Sequence, residues 1–126
     1  MINIPRCAPA DLVTLPGLAA GFLALVLSVS AMAAGEEDPR YAALKGMGQL
    51  NGVALQCKYI DQVRRMKAAV VASAPKDRSF GLAFDTATNE AFLAFIQDDA
   101  ACPAHAELER RIGHQIDAMR AAFSAP

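Results

Sequence analysis

An apolar run from Leu12 to Ala33 closes in Ser30-Ala31-Met32-Ala33-Ala34 and gives way at once to Gly35-Glu36-Glu37-Asp38-Pro39. This junction limits the fold more than any other feature, because a small-x-small pattern at the end of an apolar run marks a secretory leader. Residues 1–33 are expected to be a signal peptide cut between Ala33 and Ala34, so folding is left to the residues after the cut. The rival is an uncut membrane anchor, since Leu12–Ala34 is long enough to span a bilayer. Pro16, Gly17 and Gly21 interrupt that run, and its alanine-rich end followed by acids favours cleavage. Cys7 lies far upstream of the cut, outside any lipoprotein context, and would leave with the leader.

Export implies an oxidising compartment, periplasmic or secreted and bacterial. The remaining chain is sized for one small domain, which buries a modest core and is often helped by a disulfide. Only Cys57 and Cys102 survive the cut, and a single bridge between them is expected; two buried free thiols are the alternative. Residues 34–38 read as a short flexible arm and 39–126 as the folded domain.

The domain lacks Trp, is poor in aromatics and is rich in Ala, which favours packed helices over a β-sandwich. Helical periodicity predicts an all-α bundle of about four helices. The first runs from Pro39 to about Cys57, with Leu44, Met47, Leu50, Ala54 and Cys57 on one face and acids ahead of Pro39 suited to its positive end. Gly46, Gly48 and Gly52 weaken this helix and imply close approach by a neighbouring helix. The second runs from Asp61 to Ser73, burying Val63, Met66 or the Lys67 stem, Val70 and Val71, and Ala74-Pro75 ends it. The third starts at a capping Asp77 and carries the stripe Phe80, Phe84, Thr88, Phe92 and Phe95 beside Leu93 and Ile96, read as core. The fourth runs from Pro103 to about Phe123 and buries Leu108, Ile112, Ile116, Met119 and Phe123.

No signature of catalysis accompanies these helices: there is no Gly-x-Ser-x-Gly, His-Glu-x-x-His, phosphate loop or paired-cysteine zinc pattern. His105 and His114 fall half a turn out of phase on one helix, which argues against a shared metal. Met47, Met66 and Met119 sit on three helices without copper-site spacing and read as core filler. Asp98-Asp99 is at most a loose cation site. No cofactor or metal is therefore expected, and the protein is read as non-enzymatic.

Charge is less evenly spread. Lys58, Arg64, Arg65, Lys67, Lys76 and Arg78 lie between positions 58 and 78, whereas Asp85, Glu90, Asp98 and Asp99 follow without a base. Antiparallel packing of the two helices would neutralise both. The other reading is a partner-binding face of Lys58, Arg64, Arg65 and Lys67. A formal net charge of −1 offers nothing to nucleic acid in bulk. Membrane contact is expected only through the leader, and self-association is left open.

A first helix with Gly48-x-x-x-Gly52-x-x-x-x-Cys57, two middle helices and a last helix opened by Cys102-Pro103 resembles the layout of small one-disulfide helical periplasmic proteins of proteobacteria. Among these are acid-stress chaperones, immunity proteins against secreted cell-wall amidases and short uncharacterised secreted families. The resemblance implies a protein that acts by binding another protein, in the immunity or inhibitor manner. A periplasmic stress chaperone is the alternative, with a small metal-binding protein or enzyme behind it.

Overall fold

The computed structural model describes Gly35 and residues 37–126; the expected leader, its cut and Cys7 lie outside the described residues. Four helices account for the fold: α1 (Pro39–Gln56), α2 (Ile60–Ser73), α3 (Arg78–Gln97) and α4 (His105–Ser124). The domain is all-α, and Cys57 and Cys102 are joined in a disulfide with their Cα atoms 5.6 Å apart.

Helix ends follow local chemistry. Asp38 caps α1 by accepting the Arg40 backbone N–H at 2.9 Å, and Glu37 pairs with Lys45, so the end of the expected arm is tied to the helix. Asp77 caps α3 by accepting the Ser79 N–H at 2.7 Å. Both α1 and α3 finish in a Schellman turn: the Tyr59 N–H donates to the Ala54 carbonyl and the Ala100 N–H to the Phe95 carbonyl. The left-handed residue in these turns is not glycine but Lys58, at φ 58°, and Asp99, at φ 48°. The Lys58 turn breaks α1 from α2, and α2 begins one residue ahead of the expected Asp61.

The start of α4 differs from expectation. Pro103 does not open it; the helix begins at His105, after an extended Ala104 at ψ 141°. Residues 100–104 are used instead to carry Cys102 back to Cys57. The Tyr59 hydroxyl donates to the Pro103 carbonyl at 2.9 Å, and the Tyr59 ring meets His105 edge-on with centroids 5.0 Å apart. Bridge, hydrogen bond and ring contact thus gather the end of α1, the start of α2 and the approach to α4 at one end of the molecule.

Leu44, Met47 and Ala54 of α1, Met66 of α2 and Leu108, Ile112 and Met119 of α4 are fully buried and form the centre of the core. Leu50, Val63, Ala69 and Ile116 join them. Helices α1, α2 and α4 therefore make a three-helix core, with α4 antiparallel to α1 and parallel to α2. The last relation is read from the pairs Asp61–His105 and Arg65–Glu109.

Helix α3 lies beside this group, packed along α1, and meets α4 where Phe80 reaches Phe123. It runs parallel to α1, from the Tyr41–Ser79 hydroxyl contact of 2.7 Å to the approach of Gly52 to Thr88 and Phe92. The two backbones nearly touch. A Cβ on Gly48 would stand 2.5 Å from the Phe84 carbonyl oxygen, and one on Gly52 would stand 2.6 Å from that of Thr88 and 2.7 Å from the Phe92 nitrogen. The close approach expected at these glycines is therefore made by α3. At Gly46 the neighbour is a side chain, Gln115, whose amide donates to the Ala43 carbonyl at 2.9 Å.

This side-on packing corrects the reading of the phenylalanine stripe. Phe80 and Phe84 are buried, the first with its ring tilted against Tyr41 at 4.9 Å and edge-on to Phe123 at 5.2 Å between centroids. Thr88, Phe92 and Phe95 are only half-buried and Leu93 and Ile96 are exposed, because nothing described covers the far side of α3. Val71 is likewise exposed on α2, where Ala69 takes the core position.

Candidate binding surfaces

Along α2, residues three and four apart share a face, and the face turned from the core carries Ile60, Arg64, Lys67 and Val71. Ile60 is 46% and Val71 79% exposed, so apolar side chains bracket two bases on an open ridge. Lys58, in the preceding turn, is also exposed. Among the described residues none of Lys58, Arg64 and Lys67 has a carboxylate within ion-pair distance.

Arg65 is not part of this ridge. It turns toward α4, where its guanidinium donates to the Glu109 carbonyl and to the Gln62 side-chain oxygen, both at 3.4 Å, and faces the Glu109 carboxylate at 4.0 Å. The buried Gln62 donates in turn to Asp61 at 3.0 Å, and Asp61 meets His105 Nε2 at 2.8 Å. Burial works against the charge on Asp61, but the hydrogen bonds from His105 and Gln62 together hold its carboxyl below the usual range. His105 and Arg65 thus belong to a polar seam between α2 and α4.

Mutual neutralisation of α2 and α3 is not what the fold provides. The two helices do not pack against each other, and Asp85, Glu90, Asp98 and Asp99 pair with no described base. Among the described residues no three of His, Cys, Asp and Glu converge as metal ligands, at Asp98-Asp99 or elsewhere. No helix described is long and apolar enough to cross a membrane.

The second surface is a groove of about 700 Å³ between α3 and α4, floored by α1. It opens beyond the Phe80–Phe123 contact, along the half of α3 that the Gly48–Gly52 seam holds against α1. Leu50 and Val53 form the floor, Phe95 and Asp98 stand on the α3 side, and Arg111 and His114 on the α4 side. Neither Arg111 nor His114 pairs with a described acid. The sequence gives no direct sign of this groove, since it depends on where α3 lands. The one available signal is that Gly48 and Gly52 recur at the spacing of a single helix face.

No protein family, no curated protein and no solved structure matches this chain.

Proposed function

We propose that this is an exported, non-enzymatic bacterial protein that binds an acidic partner protein through the outer ridge of α2. The ridge carries the proposal: Ile60, Arg64, Lys67 and Val71 stand exposed in one line, with the bases unpaired among the described residues. Exposed apolar residues flanked by free charge suit a protein interface, in which charge steers the encounter and the apolar contacts hold it. The Cys57–Cys102 bridge supports work in an oxidising compartment. An immunity or inhibitor role is the form of binding this reading favours.

The test is capture from periplasmic extract on the immobilised protein, beside an Arg64→Glu/Lys67→Glu variant. Retention of one stoichiometric acidic protein that salt elutes is expected, with loss of that protein on the variant at an unchanged thermal midpoint. Equal retention by the variant would remove the ridge from the interface. Broad capture of unfolded proteins in acid would replace the proposal with a chaperone.

A further inference from the structure

Two features of the fold lack a counterpart within the described chain. One is the far side of α3, where Leu82, Leu93 and Ile96 are 61%, 54% and 57% exposed. In helical phase these residues lie opposite Phe80, Phe84 and Ala87, which face α1. The other is the groove beside α3, over α1 and α4, which is bounded by helices on both sides and floored by a third. Small residues, Gly46, Ala91, Ala94 and Ala118, leave it open to the close approach of another helix.

Charge says which helix fits. The α4 side of the groove carries Arg111 and His114 without described partners. Helix α3 carries Asp85 and Glu90, is followed by Asp98 and Asp99, and has no base after Arg78. In helical phase Asp85 lies on the outer side with Leu82, Leu93 and Ile96, whereas Asp98 lines the groove itself. Beyond Arg78 the outer side is therefore apolar with one acid and no base, which complements an apolar groove with Arg111 on its α4 side.

We propose that the protein is a two-fold dimer in which the outer side of each α3 fills the groove of the other copy. Each α3 is then covered twice, by its own α1 through the glycine seam and by the α1 and α4 of the second copy through Leu93 and Ile96. The same surface serves both copies, so the contact closes on itself and does not propagate into a fibre. The α2 ridge takes no part and remains free.

Sedimentation equilibrium across the micromolar range tests this on the disulfide-bonded protein. The parent is expected at twice its chain mass, dissociating on dilution. Leu93→Asp/Ile96→Asp spoils the inserted helix and Ala118→Trp blocks the groove, at exposed positions that leave the core intact. Each variant is expected to weaken self-association at least about tenfold, the equivalent of about 1.4 kcal/mol. An equimolar mixture of the two should regain dimer, because one spoiled α3 and one blocked groove leave one intact α3 facing one intact groove. A parent that stays monomeric across the range overturns the proposal. So does an Ala118→Trp variant that dimerises like the parent, or a mixture no more dimeric than its components.

Discussion

At the scale of single residues, the decisive positions are glycines of unlike surroundings. Alanine is the better helix former by about 1 kcal/mol wherever its methyl group fits. At Gly113 the new Cβ would meet only the Arg65 Nη2 at 3.7 Å, an ordinary contact. Gly113→Ala is therefore expected to raise stability in urea unfolding by up to about 1 kcal/mol. At Gly48 the same methyl meets the α3 backbone at 2.5 Å and the Ala87 Cβ at 2.8 Å. Backbone cannot swing aside as a side-chain end can, so Gly48→Ala is expected to cost about 2 kcal/mol net of the propensity gain. A Gly48→Ala protein as stable as the parent would mean that α3 is not held by this seam. Buried Asn51 joins the same seam, its amide donating to the Thr88 hydroxyl at 3.2 Å, while its side-chain oxygen has no described partner. The glycines were legible as close-approach positions because Gly is costly inside a helix. The sequence did not say which neighbour approached, since a helix backbone and a glutamine side chain demand the same small residue.

At the scale of the helix, the caps decide how the fold responds to acid. The Asp38 carboxyl is held below its usual range by hydrogen bonds from the Arg40 guanidinium and then its backbone N–H. That of Asp77 is held low by the Ser79 hydroxyl and then the Ser79 backbone N–H. A lowered native pKa means that the unfolded chain takes up the proton first as pH falls. Both caps therefore contribute in full above the ordinary carboxylate value of about 3.9, and the contribution disappears as pH drops through the lower native values. Asn caps a helix nearly as well without titrating. The Asp38→Asn/Asp77→Asn protein should accordingly show a flatter acid limb in urea midpoints measured against pH, and parallel limbs would exclude this origin. Helix number, the Asp77 start and the core line Leu108, Ile112, Ile116 and Met119 were readable from spacing and caps, and the bridge from the two cysteines that follow the expected cut. The end of α1 at about Cys57 was read without its cause, because the left-handed residue of that turn is Lys58 and carries none of the usual glycine signal. The start of α4 was not readable, because Pro103 has the local character of a first helical residue but serves the extended segment that delivers Cys102. The phenylalanine stripe misled for a related reason: periodicity reports which side of a helix is apolar, not how many neighbours that side meets.

At the scale of the molecule, the bridge joins residues 45 apart in sequence and closes a loop that contains all of α2 and α3. Such a constraint on the unfolded chain is worth about 4 kcal/mol in the chain-entropy treatment, a large part of the roughly 5–15 kcal/mol that holds a small domain folded. Cys57→Ser/Cys102→Ser should therefore lower the urea midpoint strongly, even with the Tyr59–Pro103 hydrogen bond and the Asp61–His105 pair in place. An unchanged midpoint would assign the join to those polar contacts alone. The loop also determines what a protease can do. The exposed turn Pro75-Lys76-Asp77 between α2 and α3 is the natural place for a nick, and every peptide bond from Lys58 to Ala101 lies inside the closed ring. A single cut there opens the ring without freeing a piece: α1 with α2 stays covalently attached to α3 with α4, and the clipped protein remains one molecule until it is reduced.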